Sequence, residues 1–103
     1  MSSGSERHPN PLNEHALRQL IRVALDKSYY REHLHHPERN ISVDDVIHGL
    51  DRSDWTLAAN PQWDEWYRSY KYQICTVDIE GDELTVVIAA YPEEKRIAII
   101  TAW

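Results

Sequence analysis

The chain has 103 residues, with 11 Lys and Arg against 17 Asp and Glu and a formal charge of −6 when histidine is neutral. That length suits one domain and leaves no room for a regulatory domain beside a catalytic one. A single cysteine excludes an internal disulfide framework and a Cys-rich zinc module, and no apolar run nears the roughly 20 residues of a membrane helix.

Residues 1–11 read as a disordered tail of Ser, Gly, Pro and charge, with nothing to repay the entropy of ordering. Residues 12–103 read as one domain. Asn13 is placed to cap a first helix, in which Leu17, Leu20, Ile21 and Ala24 form one apolar stripe at i, i+3, i+4, i+7. Arg18 and Arg22 are expected on or near its exposed side. This helix either runs to about His35 or breaks near Ser28 and restarts. Pro37 ends it, because the residue before proline is pushed out of the helical region.

The second helix carries the clearest local signal. Ser42 is the N-cap, Asp45 closes a shortened capping box, and Ile41 staples onto Val46. Val43, Val46, Ile47 and Leu50 repeat the helical stripe. Asp44 and Asp45 favour the positive end of the helix dipole, and Gly49 weakens the last turn.

Beyond residue 52 the period changes. Residues 55–59 predict a short strand stopped by Asn60-Pro61, while residues 62–70 fit helix or strand. Tyr70, Tyr72 and Ile74 then alternate with Cys75, Val77 and Ile79. Glu80-Gly81-Asp82 is a turn, residues 84–91 read as a central strand, and Pro92-Glu93-Glu94-Lys95 turns again. In the last strand Ile97, Ile99, Thr101 and Trp103 alternate with Arg96, Ala98, Ile100 and Ala102. Helices followed by strands predict an α+β domain, with two N-terminal helices on one face of a three- to four-stranded antiparallel meander sheet.

The charge is unevenly placed. Residues 1–52 hold seven Lys and Arg against eight Asp and Glu, a net of −1. Residues 53–103 hold four against nine, a net of −5. All six histidines (His8, His15, His33, His35, His36, His48) fall in the first half, so the contrast between halves grows in mild acid. The negative total counts against non-specific nucleic-acid binding but leaves room for a local basic site. Without an apolar leader core, the expected location is the cytoplasm.

Three constellations are candidates for chemistry. His33-Leu34-His35-His36 gives a metal signal with no third ligand at a recognised spacing, so no metal or cofactor is expected. The same histidines supply acid and base types for RNA cleavage, with Arg31, Arg39 or Arg96 to hold the phosphate. The third is the aromatic group Trp55, Trp63, Trp66, Tyr67, Tyr70 and Tyr72, interleaved with Arg68 and Lys71. It suits base stacking or protein hot spots, and at least half of it is expected in a core that has no phenylalanine. Cys75, amid apolar neighbours, is expected to be a buried, inert thiol.

Residues 38–47, Glu-Arg-Asn-Ile-Ser-Val-Asp-Asp-Val-Ile, resemble a motif of the bacterial family known as domain of unknown function 4258. The later strands Leu84-Thr85-Val86-Val87-Ile88 and Arg96-Ile97-Ala98-Ile99-Ile100-Thr101-Ala102-Trp103 resemble that family's meander, so the likeness spans about residues 29–103. The family is related to the ribonuclease-like toxin fold of barnase, EndoU, colicin D and RelE. The resemblance implies RNA cleavage on the sheet face by His33, Arg39, Arg96 and Thr101. The family histidine falls nearer Arg31 here, with His33 the closest match.

Two functions follow as expectations. The first is a small non-catalytic interaction module, binding a protein partner or closing a homodimer through an acidic, Trp/Tyr-rich sheet surface formed by Trp63, Trp66, Tyr67, Tyr70 and Tyr72. The second is a ribonuclease-like domain acting on RNA by His/Arg acid–base chemistry.

Overall fold

Asn13 opens the first helix as its side chain requires. Its Oδ1 accepts a hydrogen bond from the Ala16 N–H at 2.7 Å, satisfying one of the helix's free donors. The computed structural model describes residues 9–26 and 41–103. In it α1 spans Glu14–Asp26 and buries Leu17, Leu20, Ile21 and Ala24, the predicted stripe. Burying each of the larger three contributes about 1.5–3 kcal/mol. How the chain continues after Asp26, and whether Pro37 stops it, lies outside the described residues. Helix α2 spans Val43–Asp51 and begins in a complete capping box between Ser42 and Asp45. Ile41 is partly buried against the core, in which Val46 is fully buried.

Arg18 is not free on the surface of α1. Its guanidinium lies 4.0 Å from the Trp55 ring centre and donates to the Ser53 and Trp55 carbonyls at 2.7 and 3.1 Å. Arg18 thus seals the buried indole of Trp55 and ties α1 to the chain leaving α2.

The sheet has five antiparallel strands. These are β1 (Thr56–Leu57), β2 (Gln62–Asp64), β3 (Ser69–Val77), β4 (Glu83–Tyr91) and β5 (Arg96–Ala102). The meander β3-β4-β5 is the predicted one, and short strands β1 and β2 both pair with the far edge of β3. The ambiguous stretch 62–70 is therefore a strand, a turn and the start of β3, because Trp63 pairs opposite Tyr70. Tyr72, Ile74, Leu84, Val86, Ile88, Ala90, Ile97 and Ile99 meet the helix stripes in one core.

Two expectations are corrected here. The alternation in β5 does not run straight through. Val87 pairs with Thr101 but Ile88 with Ile99, so Ile100 is an extra residue and the strand bulges. A bulge reverses the facing beyond it, so Ala102 joins the core and Thr101 turns to the outer face. Cys75 is exposed rather than buried, because it shares the outer face with Thr56 and Thr85.

Gly49 is more than a weak point of α2. A Cβ there would stand 2.5 Å from Thr76 Cγ2 and 3.1 Å from the Val77 carbonyl oxygen. Thr76 Oγ1 donates to the Gly49 carbonyl at 2.8 Å, so the missing side chain lets α2 lie directly on β3.

Candidate interaction surface

The β2–β3 hairpin projects one large side chain into water. Trp66 is 87% exposed, the most exposed large apolar residue described. Its turn is well fixed. Asp64 Oδ1 accepts from the Tyr67 N–H at 3.0 Å, and the Tyr91 hydroxyl donates to the Tyr67 carbonyl at 2.7 Å. Arg68 closes the turn in the left-handed region at φ 52°. At the base of the hairpin, Lys71 pairs with Asp64 at 3.3 Å, and Trp63 meets Tyr70 edge-to-face at 5.3 Å. The Trp63 indole donates to Glu65 at 2.7 Å. The Tyr67 N–H, assisted by Lys71, holds the Asp64 carboxyl below its usual range.

Beside this hairpin lies a cleft of about 220 Å³, lined by Leu12, Trp63, Arg68, Tyr70, Tyr91 and Glu93 among others. One wall is the segment at Pro9–Asn10. The Leu12 N–H donates to the Tyr72 hydroxyl at 2.8 Å and pins this segment across the sheet end. The opposite wall is a 3₁₀ turn at Pro92–Glu94. Burial pushes the Tyr72 and Tyr91 hydroxyls above the ordinary tyrosine range, and nearby Arg96 opposes the shift at Tyr91.

The sequence-predicted residues separate clearly. Trp63, Trp66, Tyr67 and Tyr70 gather at this end. Tyr72 belongs to the core at 2% exposure and reaches the cleft only as part of its lining. Arg96 is stacked on the Tyr91 ring at 4.1 Å and held by Glu94 at 2.5 Å. Thr101 lies opposite Val87 on the outer face. His33, His35, His36 and Arg39 lie outside the described residues, so their convergence with Arg96 does too. Tyr91 is a member of this site that sequence reasoning missed, whereas Arg68 was named with the aromatic group. Tyr91 had a signal, as an aromatic closing an apolar run just before proline.

Acid and aromatics, expected on one surface, occupy opposite ends of the sheet. The β3–β4 turn carries Asp78, Glu80, Asp82 and Glu83, and Asp45 of α2 accepts from the Ile79 N–H at 3.2 Å. Neither segment contains Lys or Arg. The aromatic end mixes Glu65, Glu93 and Glu94 with Arg68, Lys71 and Arg96.

Among the described residues, no three His, Cys, Asp or Glu side chains are grouped to hold a metal ion, and no helix is long and apolar enough to cross a membrane. The molecule is thus an α+β domain with an aromatic hairpin at one sheet end and a carboxylate-rich turn at the other. No family model, curated protein or solved structure matches the chain.

Proposed function

We propose that this domain is a small non-catalytic interaction module that engages a protein partner through the aromatic end of its sheet. The observation that carries this is Trp66, exposed at 87% on a turn held from both sides. Tryptophan is a leading hot-spot residue, because its large area is desolvated at little cost in rotamer entropy. A turn already ordered lowers the cost of binding further. The neighbouring cleft, with Trp63, Tyr70 and Tyr91, offers an apolar floor beside Arg68 and Glu93. Arg96, neutralised by Glu94 and stacked on Tyr91, is poorly placed to hold a phosphate.

The test compares wild type with Trp66→Ala as immobilised baits, followed by titration of any captured protein. A partner bound at least ~10-fold more weakly by Trp66→Ala, with an unchanged circular dichroism spectrum, supports the reading. Equal binding by both proteins overturns it. So does RNA cleavage by the purified chain that is lost in His33→Ala.

A further inference from the structure

The hairpin end carries both halves of one contact. Trp66 stands 87% exposed, and beside it opens the cleft of about 220 Å³. Trp63 and Arg68, close to Trp66 on either side in the hairpin, both line that cleft, so a knob and a pit adjoin. Pockets for small molecules run to about 300–1,000 Å³, and this smaller one suits a single large side chain. Trp63 and Tyr70 already meet edge-to-face in its lining, an arrangement that a third ring extends. At its rim stand two charges that nothing else uses. Lys71 and Arg96 are held by Asp64 and Glu94, but among the described residues neither Arg68 nor Glu93 has a hydrogen-bonded or ionic partner for its side chain. A guanidinium stacks on an indole face, and a carboxylate accepts from an indole N–H.

From this we infer that the partner of the aromatic end is a second copy of this chain, with Trp66 of each molecule seated in the cleft of the other. The inference rests on the reading of Trp66 as a binding residue and names what it binds. The indole does not fill its own cleft. Its turn is fixed at Tyr67 by Asp64 and Tyr91, which leaves the ring in water. A two-fold axis between knob and pit seats both indoles at once, and such a contact closes at two copies. Arg68 then lies against the incoming ring, and Glu93 takes its N–H. Charge selects the same end. Copies of a chain of net −6 repel one another, most of all at the β3–β4 turn with its Asp78, Glu80, Asp82 and Glu83. Residues 63–71 and 91–96, by contrast, hold four Asp and Glu against four Lys and Arg. Two aromatic ends therefore approach without that local repulsion.

The contact is small. Each indole buries about 200 Å² and each pit a like amount, so the pair removes on the order of 800 Å² in total. Interfaces below about 1,200 Å² belong to weak, transient encounters. The dimer is therefore reversible, with a Kd above about 10 µM.

Sedimentation equilibrium of the whole chain, from about 1 µM to about 1 mM, is the first measurement. A mass rising with concentration toward that of two chains is expected. In proton–nitrogen correlation spectra over the same range, the Trp66 indole N–H and the amides of Trp63, Arg68 and Glu93 should shift together, while those of residues 78–83 stay fixed. Trp66→Ala removes the knob and should raise Kd at least ~10-fold. Asn10→Trp, at an exposed position in the cleft wall, fills the pit from its own chain and should weaken the dimer with Trp66 intact. A single-chain mass throughout the range overturns the inference, as does a dimer that either variant leaves intact or whose spectral shifts miss the cleft. A monomer that binds a different protein through Trp66 also overturns it, and leaves the broader reading of Trp66 standing. A monomer with no Trp66-dependent partner of any kind removes both.

Discussion

Two of the sheet's hairpin turns, β2–β3 and β3–β4, are built by the same device and surrounded differently. In the β2–β3 turn Asp64 accepts from the Tyr67 N–H, and Arg68 takes a positive φ of 52°. In the β3–β4 turn Asp78 accepts from the N–H groups of Glu80 and Asp82, and Gly81 takes a positive φ of 91°. Each turn displays one apolar side chain, Trp66 at 87% and Ile79 at 56% exposure. The difference lies in what stands behind them. Aromatic rings and a tyrosine hydroxyl support the first, whereas helix α2 and its carboxylates support the second. Turn chemistry alone therefore does not make a binding surface. The neighbours decide, and a ring of aromatics next to mixed charge suits a protein contact better than a ring of like charges.

The comparison breaks most sharply at Gly49, which lets α2 support the acidic end. Gly49→Ala drives a methyl against Thr76 Cγ2, 2.5 Å away, and toward the Val77 carbonyl oxygen. Overpacking of this kind costs about 2–3 kcal/mol. Adding Thr76→Ser removes the clashing methyl while keeping the hydroxyl that bonds the Gly49 carbonyl, so the double variant should regain part of the loss. Urea unfolding of the single and double variants measures both. Near-additive costs would show that the helix does not rest on Thr76 as described.

A smaller effect distinguishes the turns themselves. Asp78 is 8% exposed and serves two N–H groups at 3.0 and 2.8 Å. Asp78→Ala strands both donors and should cost about 2 kcal/mol. Asp64→Ala should shift the urea midpoint less, because Tyr91 and the Trp63–Tyr70 contact still hold its turn. The Asp64 contribution also depends on pH. Its folded carboxyl is held below the ordinary Asp range, mainly through the Tyr67 N–H. That contribution is present above the unfolded value and disappears as pH falls through the folded one. Equal midpoints for the two alanine variants would mean that the aromatic turn is no better supported than the acidic one.

These elements differ in how far they could be read from the chain. Both helices were legible, because Asn13, Ser42 and Asp45 act within one turn and the apolar stripes repeat at a fixed spacing. The meander was legible from its alternation and two short turns. The facing of Thr101 was not, since a bulge at Ile100 is a property of two strands fitted together and leaves no mark in one. Cys75 was misplaced for a related reason. An apolar neighbourhood in sequence says nothing about which face of the sheet is covered. The aromatic group was half legible. Its composition announced a surface, but only pairing of Trp63 with Tyr70 separates Trp66 on the turn from Tyr72 in the core. The separation of acid from aromatics was beyond reach, because it depends on which hairpin end each residue occupies.

The smallest effect tests how the aromatic end is closed. Tyr72 lies in the core, and its hydroxyl accepts from the Leu12 N–H at 2.8 Å. Tyr72→Phe keeps the ring and removes that acceptor, for a loss of about 1 kcal/mol at neutral pH. Burial holds the folded Tyr72 hydroxyl above the ordinary tyrosine range, the Leu12 bond opposing it only in part. The folded state therefore keeps this proton longer than the unfolded chain. Stability from the neutral hydroxyl is complete below about pH 10 and is lost as pH rises through the raised folded value. Tyr91, also raised by burial, lowers stability in the same range but does so equally in both proteins. The advantage of wild type over Tyr72→Phe should thus narrow as pH climbs past 10, while the Asp78→Ala deficit stays constant there. Urea unfolding at stepped pH from about 8 to about 11 reads the gap. A constant gap would detach Tyr72 from the strap at Leu12 and leave the cleft walled by side-chain packing alone.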